Sequence, residues 1–218
     1  QLSESYRKVR NTARYILGNI HDFNPDTDSV SDTELHDIDR WALLRLNQVV
    51  EKVRTAYDEF EFHDAFYAIH HFCVVDLSNF YLDVLKDRLY VEKADSKARR
   101  AAQTTIYRIL NTITRMLAPI LAFTSEEIWG YMPHTADDDA RSVLLNEIPQ
   151  PDNSYADAAF EEKWSRIHAL RDNVQKALET ARTAKVIGGS LDAKVTLFCD
   201  DKLLPFVESV KDLLPTVL

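Results

Sequence analysis

Apolar residues recur every three or four positions through most of the first 133 residues, the spacing of amphipathic helices. In SESYRKVRNTARYILGNI (3–20), Val9, Ala13, Ile16, Leu17 and Ile20 share one side of a helical projection. Arg7, Arg10, Asn11 and Arg14 share the other. HDFNPDTDSVSD (21–32) reads as a loop from its Asn-Pro, Asp and Ser content. Ser31 and Glu34 stand at capping-box spacing. A second helix is predicted over 36–57, turning Leu43, Leu46, Val50, Val53 and Tyr57 inward. After the break DEFEF, a third runs from 62 to 90. A fourth covers 95–117, with Ile106, Leu110, Ile113 and Leu117 inward and Arg100, Arg108 and Arg115 outward, and Pro119 disrupts it. TSEE (124–127) offers Thr124 as N-cap and Glu127 as its partner for a short helix through Trp129 and Met132.

Residues 133–154 are rich in Pro and Asp and mark a boundary, after which the pattern changes. A helix near 156–187 is broken by Gly188-Gly189, AKVTLFC (193–199) alternates as a strand does, and 201–214 has room for another short helix. The predicted fold is an all-α helical bundle followed by a small α/β C-terminal appendage. The predicted domains are 1–150 and 151–218.

Composition supports long helices: the 218 residues include only four glycines, too few to punctuate a sandwich or barrel. No apolar run approaches the roughly 20 residues of a membrane span, and the N-terminus has no signal-peptide pattern. Cys73 and Cys199 make no disulfide framework, which favours a reducing cytoplasm. The net charge of −9 taken globally argues against a nucleic-acid partner. Its distribution argues otherwise, because residues 1–20 carry +3 and residues 97–115 carry +5. Electrostatic fields are local over roughly 8–10 Å, so two basic helices on an acidic body can still hold a polyanion.

A catalytic centre is harder to find. In DLSNFYLDVLKDRLY (76–90), Asp76, Asp83 and Asp87 fall on one stripe at about 100° per residue. A magnesium site of the kind all-helical enzymes use would need a second acidic cluster opposite. None is visible, and ion pairing to neighbouring helices is the simpler role. His70 and Cys73 have metal-compatible spacing but no second pair. No Gly-rich phosphate loop or nucleophile elbow occurs. The basic face of the first helix remains. Taken alone it reads first as solvated arginines; the sharper alternative is a surface of forked donors, with Tyr6 as a stacking ring, for phosphates and unstacked bases of structured RNA. A protein-interaction bundle is a further alternative and would need an exposed apolar patch.

Several segments, in order, carry a resemblance: SESYRKVRNTARYILGNI, DFNP, DRWALLRLNQVV, FHDAFYAIHHFCVVDLSNFYLDVLKDRLY, ADSKARRAAQTTIYRIL and RMLAPILAFTSEEIW. They resemble bacterial-type isoleucyl-tRNA synthetase over residues 1–133, and LRDNVQKALETAR with KVIGGSLDAKVTLF resembles the segment that follows. The valyl and leucyl enzymes share the architecture, including a helix–Pro–helix ending in EEIW. Ile148 before Pro149 departs from the Trp-Pro usual in the family. The resemblance implies the anticodon-binding helical domain of a class I synthetase, separated from the catalytic and editing domains of the same chain. It implies a parent that joins isoleucine to tRNA(Ile) using ATP and Mg. This segment would hold no cofactor and do no chemistry itself, and the cysteine-rich zinc module that can follow the bundle is not in this sequence. The implied partner is the anticodon arm of tRNA(Ile), with no membrane, in a monomeric cytoplasmic protein. Arg7, Arg10, Asn11 and Arg14 match the helix that carries anticodon contacts in related synthetases, and Arg99 and Arg100 are a second candidate pair.

Overall fold

The computed structural model describes residues 2–189 and 192–218. They form two compact units, Gln1–Ala156 and Asp157–Leu218. The first is built on α1 (Leu2–Asn19), α2 (Pro25–Asp28), α3 (Asp37–Asp58), α4 (Phe62–His71), a π-helix (Phe72–Tyr81), α5 (Leu82–Val84), α6 (Lys86–Tyr90), α7 (Lys97–Leu117) and α8 (Ala122–Tyr131). The predicted apolar stripes bury together: Val9, Ala13 and Ile16 of α1, Leu43, Val50 and Val53 of α3, and Ile106, Leu110 and Ile113 of α7. Trp41 meets Phe80 edge to face at 5.0 Å.

The helix ends follow local chemistry. The Asn24 side chain accepts from the Asp26 N–H at 3.0 Å, with Pro25 as the first residue of α2, where a missing N–H costs nothing. Ser31 and Glu34 do bond to each other, the Ser31 N–H donating to Glu34 Oε2 at 3.1 Å, but they close a 3-10 turn (Asp32–Glu34) rather than opening α3. The α3 N-terminus is His36, whose N–H donates to Asp39 Oδ2 at 3.1 Å. Phe60, with φ of 61°, ends α3, the Glu61 N–H reaching back to Ala56 O at 2.7 Å. α8 begins at Ala122, so Thr124 is not its cap; Thr124 Oγ1 bonds instead to the Tyr6 hydroxyl at 3.1 Å.

The expected third helix is continuous as a path but not uniform. A π-helix closes over i→i+5, so each turn holds more residues than an α-turn, and side chains beyond it are rotated out of α register. The aspartate stripe is split as a result. Asp76 is buried, with Oδ1 accepting from Arg45 Nε of α3 at 3.2 Å, whereas Asp83 is exposed and pairs at 2.5 Å with Lys86, three residues on at the start of α6. Asp87 is exposed. Of the three, Asp76 is the one paired with a residue distant in sequence, Arg45 of α3.

The larger tie is Asp39. Its carboxylate is fully buried and accepts from Arg88 Nη1 at 2.9 Å, Arg88 Nη2 at 2.7 Å and the Tyr81 hydroxyl at 2.7 Å, besides the His36 N–H. Arg88 also donates to Ala98 O from Nε at 3.1 Å and Nη2 at 2.9 Å. One carboxylate thus links α3, the π-helix, α6 and the start of α7.

The second unit is helical: α9 (Ala158–Thr183), α10 (Leu204–Val210) and α11 (Leu214–Val217). The Asp157 side chain caps α9 by accepting from the Phe160 N–H at 2.9 Å. Trp164, Ile167, Val174 and Leu178 of α9 are buried, as are Val210, Leu214 and Val217. The Arg166 guanidinium lies 3.8 Å from the centre of the Phe206 ring. α9 stops before Gly188: Lys185 takes φ of 58°, and the Val186 N–H bonds Ala181 O at 2.9 Å. The expected α/β appendage is therefore corrected, since 193–199 forms no strand among the described residues. A strand needs a neighbouring strand for its N–H and C=O groups, and the described elements of this unit are helices.

The Asp39 hub makes a direct prediction. Asp39→Ala leaves the Arg88 charge buried without its counter-ion, and urea unfolding should show a loss of about 3–5 kcal/mol.

Candidate nucleic-acid interface

α1 buries Val9, Ala13 and Ile16 against the bundle, and this orientation leaves Arg7, Arg10, Asn11 and Arg14 exposed. At 3.6 residues per turn the four side chains lie within about 100° of one another. Arg7 Nη2 bonds Glu4 Oε2 at 2.5 Å one turn back, and this bond holds the Glu4 carboxyl below its usual range. Arg10 Nη2 reaches Glu127 Oε1 of α8 at 3.4 Å. Both pairs are about half exposed, where ion pairs are weak and leave the guanidinium fork available to a stronger anion. Tyr6, expected as a stacking ring, is half-buried and braces α1 to α8 through Thr124.

Between α1 and α8 runs a groove of about 170 Å³. Arg10, Arg14 and Leu17 line it from α1; Glu127, Ile128 and Tyr131 line it from α8. Tyr131 is 76% exposed and Phe123, two turns earlier on the same helix, is 93% exposed. These α8 residues were not among the sequence candidates. The signal was the spacing of Phe123, Glu127 and Tyr131 at i, i+4 and i+8, a single exposed row.

α7, the second basic helix, is different. Lys97 pairs with Glu34, Arg99 with Asp22, Arg100 with Asp22 and Asp28, Arg108 with Asp32, and Arg115 with Asp138. The carboxylates of the loop after α1 meet most of the charge that a count over residues 97–115 leaves open. Arg99 is 8% exposed, its fork on Asp22 at 2.7 and 3.0 Å and its remaining donors on Leu89 O and Ala94 O. Arg100 Nη1 donates to Asp22 O at 3.0 Å and to Gln103 Oε1 at 2.8 Å. Both meet the chain just beyond the C-terminal end of α1. Arg7 lies about 18 Å earlier along that helix, at 1.5 Å per residue. The structure thus gathers Arg7, Arg10, Asn11 and Arg14 on one face and sets Arg99 and Arg100 apart from it.

The remaining candidate chemistry is internal. Cys73 is buried and its thiol is pushed up to about 12 by that burial, so it is a packed side chain rather than a thiolate. Among the described residues, no group of three or more His, Cys, Asp or Glu is placed to hold a metal ion.

The exposed cationic face of α1 is the feature of this bundle that a polyanion could engage. The family model described as the anticodon-binding domain of tRNA ligase matches residues 39–197, and the chain belongs to that family. The match begins in the first turn of α3, so it leaves α1 outside. Whole-chain relatives extend the likeness. The isoleucine–tRNA ligase of Caldanaerobacter subterraneus subsp. tengcongensis is 49% identical over 213 residues, 98% of this chain and 23% of that protein. That of Syntrophotalea carbinolica is 53% identical over 197 residues, 90% of this chain and 21% of that protein. That of Desulforudis audaxviator is 46% identical over 217 residues, 100% of this chain and 23% of that protein. The chain therefore spans about a quarter of the length of the relatives it matches.

The Asp22–Arg99 pair carries a pH signature. Hydrogen bonds from Arg99 and then Gln103 hold the Asp22 carboxyl at about 2, below its ordinary 3.8. A depressed folded value means the stabilisation is complete above the ordinary value and is lost as pH falls through about 2. Asp22→Asn should lower the melting temperature near neutral pH and shrink the drop seen between about pH 4 and pH 2, read by thermal melts across that window.

Proposed function

We propose that this chain holds the anticodon arm of tRNA(Ile) for a longer protein that joins isoleucine to that tRNA. Arg7, Arg10 and Arg14 would contact phosphates of the arm, and Asn11, which has no charge, would contact a base edge. The observation that carries the reading is the contrast between the two basic helices. α7 pairs each of its cations internally, while α1 keeps three arginines and an asparagine exposed on one face. Arg99 and Arg100 act at one remove, anchoring the loop after α1 through Asp22 and so setting the direction of the basic helix. The likeness to isoleucine–tRNA ligases supports the choice of tRNA.

The ligation itself, with its ATP and magnesium, belongs in this reading to parts of the longer protein outside these residues. The contribution here is positional: gripping one end of the tRNA fixes where its other end can reach, an entropic saving on the reacting geometry. A monomeric, cytoplasmic protein is part of the same proposal and rests on the same likeness.

The test uses the longer protein and tRNA(Ile). Replacing Arg7, Arg10 and Arg14 together by Ala should weaken binding and reduce the slope of log K against log salt by about 2–3, at roughly 0.7–0.9 per phosphate contact. Asn11→Ala should leave that slope unchanged and reduce discrimination against other anticodons. A triple arginine variant that binds and charges tRNA normally at every salt concentration overturns the assignment.

A further inference from the structure

The corner between α3 and α4 carries a side chain that the turn itself disfavours. Phe60 has φ of 61°, a left-handed conformation that glycine adopts freely and a bulky residue adopts only with strain. Its ring is nonetheless 78% exposed, so packing within this unit does not offset the strain. Other rings stand beside it. Phe62, 50% exposed, meets Phe60 edge to face at 6.3 Å. On α4, Tyr67 is 54% exposed and lies 6.3 Å from the His63 ring and 6.4 Å from that of His71. These three repeat at i, i+4 and i+8, so they continue the aromatic surface as one row along α4.

We infer that this aromatic corner docks against another part of the same longer protein, one that presents an apolar surface edged by Lys and Arg. The inference rests on the part of the reading above that sets these residues within a longer protein, and it is independent of the tRNA contacts. Length is the first argument. The chain spans 23% of the Caldanaerobacter relative, so most of a protein of that size has to be placed around this bundle.

Area and charge select the occupant. At about 200 Å² per aromatic side chain, the exposed parts of Phe60, Phe62 and Tyr67 present roughly 350 Å². That is well short of the about 800 Å² each partner gives to a stable interface between separate molecules, which argues against a second copy. Contacts between parts of one chain hold with less, about 600 Å² in total or roughly 300 Å² a side, because the tether keeps the local concentration high. Asp58, Glu59, Glu61 and Asp64 rim the corner, all exposed, with no Lys or Arg among residues 58–64. His63 Nδ1 lies 3.4 Å from Asp64 Oδ1, a weak and exposed pair. Such a rim repels the phosphates of an RNA and attracts a basic edge. The Tyr57 hydroxyl donates to Met116 O at 2.5 Å, tying the end of α3 to α7, and the Tyr57 ring lies 5.9 Å from that of Phe62. The corner is thus held in place before any partner meets it, which lowers the entropic cost of docking.

The experiment uses the longer protein. A benzophenone amino acid is placed at position 60 or 67, the protein is irradiated with and without tRNA(Ile), and the joined peptides are mapped by mass spectrometry. The expected product links position 60 or 67 to residues of the same molecule outside positions 1–218. Crosslinks confined to positions 1–218, a product of twice the mass, or a product with the tRNA alone overturns the inference. Phe60→Gly supplies a second reading through its sign. At an undocked corner it relieves the left-handed strain and removes an exposed ring, so the melting temperature would hold or rise. At a docked corner it deletes the central contact, and the longer protein should melt at least about 2 °C lower, with Phe60→Asn, which also tolerates this conformation, falling likewise. Melting at or above the unmodified temperature in both variants overturns the inference. None of these readings involves the α1 arginines, so a triple arginine variant that binds tRNA normally removes the tRNA assignment alone, and a failure at the corner leaves that assignment standing.

Discussion

A single buried carboxylate holds the first unit in shape. Asp39 is in the first turn of α3, has no exposure, and accepts from Arg88, Tyr81 and the His36 N–H together. A charge removed from water is tolerated only when several donors satisfy it, and here they come from the π-helix, α6 and the chain entering α3. Arg88 in turn spends its other donors on Ala98 O, which fixes where α7 departs. α7 then packs against α1, α3 and α8 through Ile106, Leu110 and Ile113, so the placement of the α1 face descends from this one cluster.

Charge is partitioned along the same lines. The chain carries −9 overall, and much of its acid is engaged: Asp22, Asp28, Asp32, Glu34 and Asp138 meet the cations of α7. These pairs range from largely buried to well exposed, and their combined effect is geometric, since they pin the loop after α1 against α7. The exposed arginines of α1, held only in half-exposed pairs with Glu4 and Glu127, are therefore a directional feature. An acidic body with one basic helix orients a polyanion toward that helix and repels it elsewhere.

The candidate site was half legible. The i, i+3 and i+7 spacing of Arg7, Arg10 and Arg14 opposite an apolar stripe already assigns them a common outward face, because helix geometry alone decides it. Arg99 and Arg100 look equivalent in sequence, yet Asp22 lies 77 residues away from Arg99 and only folding brings its carboxylate to within 2.7 Å. The α8 half of the groove was hidden for the same reason. Thr124 and Glu127 fit a capping pair locally, but the N-cap falls three residues earlier, at Leu121, and both side chains are drawn across to α1.

Sequence by itself determined most of the helices, their inward faces and the helical character of the first unit, since these follow from period and propensity within a few turns. It also determined the strand-like alternation of 193–199, which forms no strand among the described residues because a strand needs a partner and a helix does not. Only the tertiary structure decided which charges cancel. It turned Asp76 inward and Asp83 outward through the π-helix, a change of register that a constant angle per residue cannot show. It buried Asp39 with Arg88, 49 residues apart, and chose α1 over α7 as the exposed basic face. Ion pairing acts over a few ångströms of space and is blind to distance along the chain, so a count of charges in sequence cannot foresee it.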